Sequence, residues 1–255
     1  MQNAFAQPQN IVVLGGSSDI ARAITKKLCA ARAQTVVLAG RNQELLDEAA
    51  REALEYGASQ TATVIFDAQD VGGAAGAVEE AFNKAGDDVD LVIVAVGLLG
   101  DQVRDQSDVA ASVRMMNVNF LWPVAALTQV RERLVAQGRG RIVVISSVAA
   151  VRVRASAYLY GGAKAGLDRL CQGMADSLEG TGVTLQIVRP GVVRSKMTEG
   201  LPAAPFTTGV DEVATKVIKG LTSSATVIWS PPVLRYVFTV LRHLPGPIWR
   251  RVMDR

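Results

Sequence analysis

The sequence predicts one α/β domain built around a doubly wound parallel sheet, and three observations lead to this fold class. The chain has 255 residues, 49% of them hydrophobic, which suits one large domain with a sizeable core. Seven short apolar runs alternate with helical stretches along the chain. A glycine-rich turn follows the first run and leads into a helical pattern, as expected for the first strand–helix unit of such a sheet.

The seven apolar runs are the predicted strands. They span residues 11–14, 35–39, 62–66, 91–96, 142–146, 184–188 and 226–229. Because the stretches between them are helical, the strands are expected to run parallel. We therefore predict a single domain over residues 1–255, ending in a basic and apolar tail over residues 231–255.

The glycine turn is the first candidate binding site. Ile11-Val12-Val13-Leu14 is followed by Gly15-Gly16-Ser17-Ser18-Asp19-Ile20-Ala21. Glycine lets the backbone approach a pyrophosphate closely, and the next helix N-terminus offers unpaired N–H groups and a partial positive charge. Ser17 and Ser18 can add hydroxyl donors. The turn thus predicts a dinucleotide site, with a tight strand–helix connection as the alternative.

The second run ends in Gly40-Arg41, and this charge bears on the choice of cofactor. Folds that prefer NAD(H) place a carboxylate here to hold the ribose hydroxyls, whereas an arginine suits the 2′-phosphate of NADP(H). Arg41 therefore favours NADP(H) over NAD(H). The alternative is a solvated arginine that does not discriminate.

Tyr160 and Lys164 form a candidate proton-transfer pair. Four residues of α-helix turn through about 400°, so the two side chains share a helix face. A phenol has a pKa of about 10, and a neighbouring cation favours the phenolate, so Lys164 is expected to lower the pKa of Tyr160. Ser147 follows the run at 142–146, at the carboxyl edge of the sheet where such folds bind ligands.

Several functions are excluded or made unlikely by composition. His243 is the only histidine, which rules out a histidine triad and a multi-histidine metal site. Cys29 and Cys171 lie in apolar helical patterns without metal-ligand neighbours, so we expect reduced core residues and no metal. Residues 1–10 lack signal-peptide features and no apolar run could span a bilayer, so a cytoplasmic protein is expected. No stacking or DNA-reading pattern points to nucleic acid.

From Gly15 to Gly191, the chain resembles the classical short-chain dehydrogenase/reductase family. The resemblance implies a Rossmann-type fold. The resemblance implies that Tyr160 is the general acid for carbonyl reduction and that Ser147 holds the carbonyl. It implies that Lys164 binds the nicotinamide ribose and that Asn119 orders a water in a proton relay. It also implies a homo-oligomer, paired through the helix that carries the tyrosine.

The sequence departs from the family pattern at two places. Asp19 and Ala21 stand where the family has its second and third glycines, and we expect Asp19 to cap the helix. Val94-Ala95-Val96-Gly97 replaces an Asn-Asn-Ala-Gly segment, which keeps the final glycine and loses the amides. Contacts to the adenosine side are therefore expected to be backbone or apolar.

The family pattern further implies contacts with the cofactor from residues in each loop at this edge. They are Gly15, Ser17, Ser18, Asp19, Ile20, Arg41, Asp67, Ala68, Ala95, Gly97, Tyr160, Lys164, Pro190, Gly191, Val193 and Ser195. Asp67 resembles the acidic residue of the family that contacts adenine. Pro190-Gly191 resembles the loop that faces the nicotinamide. Ser195 stands where the family has a threonine that hydrogen-bonds with the carboxamide or the phosphates. Turn chemistry and an exposed hydroxyl are the alternatives at these last two positions.

A narrower group in the family is similar in four further segments. It comprises actinobacterial reductases of a polyprenyl-phosphate-linked 2-keto-pentose, which act after a separate oxidase. The segments are 97–101, 152–155, 189–197 and 234–245. The resemblance implies the same substrate and an oxidase partner, and Arg152 and Arg154 could then meet the substrate phosphodiester.

The tail over residues 231–255 agrees with a lipid-phosphate substrate. It contains five arginines and one aspartate among many apolar side chains. The pattern alone favours a tail packed on the core or on another subunit, whereas the narrower resemblance favours an anionic membrane surface. Two other functions stay open: a generic ketoreductase of 3-ketoacyl or small carbonyl substrates, and a catalytically silent NAD(P)-binding relative.

Overall fold

The computed structural model describes residues 7–86, 88–202 and 204–253. A seven-stranded sheet, parallel throughout, forms the centre of the molecule. Its strands are β1 (Asn10–Leu14), β2 (Thr35–Gly40), β3 (Gln60–Ile65), β4 (Leu91–Val94), β5 (Gly140–Ile145), β6 (Val183–Pro190) and β9 (Val227–Ser230). A separate short pair comprises β7 (Val193–Arg194) and β8 (Thr208–Gly209). The order across the main sheet is β3-β2-β1-β4-β5-β6-β9.

Helices connect these strands and cover both faces of the sheet. They are α1 (Asp19–Ala30), α2 (Gln43–Glu55), α3 (Ala74–Ala85), α4 (Gln102–Asp105), α5 (Val109–Met116), α6 (Trp122–Gln137), α7 (Tyr158–Ser177), α8 (Val210–Leu221), α9 (Val233–Leu241) and α10 (Gly246–Met253). A π-helical turn over Asn117–Leu121 joins α5 to α6. Three short 3₁₀ turns span Val148–Ala150, Ala155–Ala157 and Lys196–Thr198.

The central strands β1, β2 and β4 are largely apolar because both faces of the sheet are buried there. In β1, Val12 and Leu14 belong to a core shared with α3, α6 and α7. Ile11 and Val13 belong to a second core, shared with α1, α2 and α8. A strand covered on both sides reads as a continuous apolar run, which is the pattern that predicted these elements.

The predicted fold class is confirmed, and each of the seven predicted runs overlaps one strand of the main sheet. The run at 91–96 is shortened at its end: β4 stops at Val94, and the chain beyond it forms a loop of the candidate site. The pair β7–β8 was not predicted, because strands of two residues carry no periodic signal.

The strand order reverses between β1 and β4, which lie side by side although β2 and β3 intervene in sequence. Open parallel sheets bind ligands in the crevice outside the carboxyl ends of the strands at such a point. In the part of the chain that the structure describes, no helix is long and apolar enough to cross a bilayer. The prediction that residues 1–10 are not a signal peptide falls mostly on residues 1–6, which lie outside the described residues.

Candidate active site

The glycine turn lies at the crevice, between β1 and α1. Gly15 has a φ of +93°, and a Cβ there would lie 2.7 Å from the carbonyl carbon of Ala95. The N–H groups of Gly15 and Gly16 both donate to the Ala39 carbonyl, at 2.8 Å. Ser18 is the N-cap of α1. Both the positive φ and the close approach of the loop after β4 require glycine at position 15.

Asp19 does not cap α1, so that prediction is wrong. Ser18 occupies the capping position, where its hydroxyl accepts a hydrogen bond from the Ala21 N–H at 3.5 Å. The Asp19 carboxylate instead accepts from the backbone N–H of Lys196, at 2.7 Å. It therefore joins the start of α1 to the loop that follows β7.

Arg41 and Asp67 follow the carboxyl ends of β2 and β3, on one side of the crevice. Arg41 is exposed, and its guanidinium has no hydrogen bond or ion pair with any residue that the structure describes. Asp67 is also exposed, and its carboxylate accepts from the Gln69 N–H at 2.9 Å. The guanidinium is thus available to an anionic ligand.

The loop after β4 passes between the glycine turn and the catalytic candidates. Ala95 donates its N–H to the Leu14 carbonyl at 2.7 Å, which continues the sheet pairing. A Cβ on Gly97 would lie 2.9 Å from Asn119 Oδ1 and 3.3 Å from Lys164 Nζ. Glycine at position 97 thereby leaves room for both side chains.

Asn119 lies in the π-helical turn and is fully buried. Its Nδ2 donates to the carbonyls of Leu98 and Met115, at 3.0 and 3.1 Å, and its Oδ1 accepts from the Leu98 N–H at 3.2 Å. These bonds fix the amide in one orientation. Single π turns inside helices are frequent at functional sites.

Ser147, Tyr160 and Lys164 converge beyond the end of β5. Ser147 caps a 3₁₀ turn, and its Oγ accepts from the Ala149 N–H at 3.1 Å. Tyr160 lies in the first turn of α7, and its hydroxyl is close enough to Ser147 for the serine to act on the pKa of the phenol. Lys164, 4% exposed, donates from Nζ to the carbonyls of Ile145 and Val96, at 3.1 and 3.4 Å.

The electrostatics of this group differ from the expectation. Burial raises the pKa of the Tyr160 hydroxyl, and the nearby Ser147 opposes that rise. Lys164 directs its ammonium at two carbonyls, and the pKa of Tyr160 stands above its usual value, opposite to the predicted direction. Burial lowers the pKa of Lys164 itself to about 8. Tyr160 is therefore protonated at neutral pH.

The Lys164→Met variant tests the lowered pKa of Lys164 through the pH dependence of the free energy of unfolding. The pKa of Lys164 falls from 10.5 to about 8 on folding, so between these values the unfolded chain binds more protons than the folded one. The stability of the wild type should therefore rise with pH across this window. Between about pH 8 and pH 10.5, the free energy of unfolding of the wild type should rise by about 3 kcal/mol relative to that of Lys164→Met. Urea denaturation at several pH values measures this, and a difference that does not change with pH would contradict it.

A buried ion pair below the catalytic candidates was missed by the sequence analysis. Asp168, 3% exposed on α7, accepts from Nε and Nη2 of Arg189, at 2.9 and 2.6 Å. It also accepts from Ser146 Oγ at 2.7 Å. The one available signal was spacing, because Asp168 lies four residues after Lys164 on the same helix face. This carboxylate ties α7 to the carboxyl ends of β5 and β6.

The remaining predicted cofactor contacts also lie at or near this edge of the sheet. Pro190 is the buried last residue of β6, and Val193 is buried at the start of β7. A Cβ on Gly191 would lie 2.7 Å from Leu234 Cδ1, so α9 presses against this loop. Ser195 forms a capping box with Thr198 over a 3₁₀ turn. Ala68 is buried, and Ile20 is partly buried against the core.

The structure does not place Arg152 as a free phosphate ligand, which corrects that prediction. Its Nη1 donates to the carbonyls of Leu241, Arg242 and Leu244, at 2.9, 3.1 and 2.6 Å. These carbonyls lie at and just after the end of α9. The Arg154 side chain is partly exposed and has no hydrogen bond or ion pair with the described residues.

A parallel sheet with this strand order, a glycine turn at the crevice, and a serine, a tyrosine and a buried lysine beside it together define a NAD(P)-dependent oxidoreductase. The chain belongs to the short chain dehydrogenase family, whose family model matches residues 9–205.

Relatives and solved structures agree with this family. An uncharacterized oxidoreductase of Mycobacterium tuberculosis is 39% identical over 252 residues, which cover 99% of each chain. One from Streptomyces coelicolor is 39% identical over 254 residues, again 99% of each chain. A short chain dehydrogenase from Burkholderia cenocepacia, solved in complex with NADP, superposes with a TM-score of 0.80 at 20% identity, covering 95% of this chain and 96% of that one. This last similarity concerns the fold.

Proposed function

We propose that the protein reduces the 2-keto group of decaprenylphosphoryl-2-keto-erythro-pentose to give decaprenylphosphoryl arabinose, for cell-wall arabinan. The four segments that resemble reductases of this lipid-linked sugar support the proposal. The observation that carries it is the position of α9. Leu234 packs on Gly191, and the same helix exposes Tyr236 and Val240 together with Arg235.

An apolar and cationic surface beside the site suits a substrate that carries a polyprenyl chain and a phosphodiester. With Arg152 occupied by backbone carbonyls, Arg154 is the residue we assign to the phosphodiester. The same surface suits the anionic inner face of the membrane and the oxidase that makes the keto sugar. We also infer a homo-oligomer, paired through α7 as is common in the family.

The chain's own residues would handle the proton. Tyr160 donates its proton to the carbonyl oxygen as it becomes an alkoxide, and Ser147 donates a hydrogen bond to the same oxygen. The raised pKa of Tyr160 keeps this proton in place at neutral pH. Lys164 and Asn119, both buried next to Gly97, would return a proton from solvent to Tyr160.

The residues at the crevice fit a nicotinamide dinucleotide, which supplies the hydride when bound. Gly15 leaves no side chain between the turn and the loop after β4, and the Ser17 hydroxyl has no partner among the described residues. We assign the pyrophosphate to this turn, the adenine side to Asp67 and the 2′-phosphate to Arg41. NADP(H) is therefore the proposed cofactor, ahead of NAD(H).

Replacing Arg41 with Ala tests this cofactor preference. Loss of a hydrogen-bonded charge pair with the 2′-phosphate should raise KM for NADPH by about 10- to 100-fold and leave KM for NADH nearly unchanged. Steady-state kinetics with both cofactors measures the split. Arg51→Ala, at an exposed arginine of α2, is the matched control. Equal effects on both cofactors would argue against the assignment.

The proposed reaction is tested by incubating the purified enzyme with NADPH and decaprenylphosphoryl-2-keto-erythro-pentose. Formation of decaprenylphosphoryl arabinose, identified by mass spectrometry and sugar analysis, supports the proposal, and the Tyr160→Phe protein serves as the control. Turnover of 3-ketoacyl or small ketones without turnover of the lipid would favour a generic ketoreductase. NADPH binding without turnover of any of these would favour a catalytically silent relative.

A further inference from the structure

The last two helices are held onto the rest of the molecule by few contacts. We call α9 and α10 together the C-terminal cap. Leu234 is the buried residue of α9, and Trp249 is buried on α10 at 7% exposure. Other large side chains of the cap, Tyr236, Val240 and Ile248, are 71%, 65% and 51% exposed. Apolar burial alone therefore anchors the cap weakly, and its polar contacts carry much of the attachment.

Arg152 provides the most concentrated of these contacts. The two N–H groups of Nη1 share three carbonyl acceptors at the end of α9, and the guanidinium carbon lies 4.5 Å from the centre of the Trp249 ring. The last carbonyls of a helix lack partners within it and carry partial negative charge, so a cation is favoured there. A buried indole face adds a cation–π interaction. One side chain thus holds both helices of the cap.

The position of Arg152 relates this latch to the candidate site. It lies in the loop that connects Ser147 to Tyr160. At its other end the cap contacts the loop after β6, where Leu234 meets Gly191. Phe238 also lies 6.4 Å from Trp229 of β9, measured between ring centres. The cap therefore bridges the two loops that frame the place where the ketone would bind.

We propose that Arg152 is a positioning residue, which latches the C-terminal cap across the site so that the cap forms the wall for the non-reacting part of the ketone substrate. This inference rests on the proposed reductase function. Arg152 does not touch the reacting atoms, and it acts through the backbone of α9 and the ring of Trp249. Release of the latch should weaken substrate binding and change cofactor binding little, because the glycine turn lies between β1 and α1 and Arg41 follows β2, whereas the cap contacts β9 and the loop after β6.

The test compares Arg152→Gln, Arg152→Lys and Trp249→Leu with wild type. In Arg152→Gln we expect hydrogen exchange to accelerate over residues 233–251, and KM for the ketone to rise about tenfold with kcat and the Kd for NADPH nearly unchanged. Arg152→Lys keeps the charge without the planar fork and should recover part of the loss. The double variant Arg152→Gln/Trp249→Leu should lose less than the sum of the two single losses, because the two side chains contact each other. Arg169→Gln, at an exposed arginine of α7, is the matched control.

Three results would overturn the proposal. Unchanged exchange of the cap in Arg152→Gln would mean that the latch does not hold it. Faster exchange with an unchanged KM would mean that the cap is not a wall of the substrate site. A fall in kcat alone would place Arg152 in the chemistry. KM is compared on the decaprenyl keto-pentose and on a small cyclic ketone, so failure of the proposed lipid substrate is seen separately from failure of the latch.

Discussion

Tyr160→Phe is expected to lower kcat for ketone reduction by about 100- to 10,000-fold, the usual contribution of a general acid. The substitution removes one oxygen from a side chain whose ring is held in the first turn of α7. The proton donor is lost, and the Ser147 hydroxyl keeps its hydrogen bond from the Ala149 N–H. The glycine turn is remote from this change. The Kd for NADPH should therefore stay within about twofold of wild type, which corresponds to about 0.4 kcal/mol in binding free energy.

The measurement is kcat from initial rates together with the Kd for NADPH from fluorescence titration. Tyr158→Phe is the matched control, because Tyr158 lies two residues earlier on the same helix and is 43% exposed. Near-normal turnover in Tyr160→Phe, or an equal loss in Tyr158→Phe, would refute Tyr160 as the proton donor.

Arg189→Met is expected to lower the free energy of unfolding by about 3–5 kcal/mol, which is the usual cost of leaving a buried charge without its partner. Asp168 would keep its hydrogen bonds from Ser146 and Gln172 but lose both bonds from the guanidinium, at 2.9 and 2.6 Å. Arg189 also lies over the Trp229 ring, with its guanidinium carbon 5.0 Å from the ring centre, so packing is lost with the charge.

The double variant Asp168→Asn/Arg189→Met separates charge from packing. The asparagine amide has the size of the carboxylate and can still accept from Ser146, but it leaves no uncompensated charge. We expect the double variant to be more stable than Arg189→Met alone. Guanidinium denaturation monitored by circular dichroism measures each stability. A double variant that loses the sum of the two single losses would show that the buried charge is not the cause.

The fold was predictable because its signals are local. Each core strand is buried on both faces, so a run such as Ile11 to Leu14 is apolar at every position. Gly15, Ser147 and Tyr160 were identifiable because turn, strand end and helix spacing place them at one edge of the sheet. Their placement together is a consequence of strands that all run in the same direction.

The errors concern contacts between segments distant in sequence. Arg152 was assigned to a substrate phosphate, but its acceptors lie about ninety residues further along the chain. Asp19 likewise bonds with Lys196, which no local pattern indicates. The pKa of Tyr160 depends on burial and on the nearby Ser147, and spacing along a helix determines neither.

The two ends of the described chain lie at opposite edges of the sheet. β1 begins at Asn10, on the amino edge, whereas α9 contacts the loop after β6, on the carboxyl edge that carries the candidate site. An affinity tag or surface tether is therefore not equivalent at the two termini. A tether near Asn10 lies on the edge opposite the crevice, whereas one near α9 extends from the cap that we propose as a wall of the substrate site.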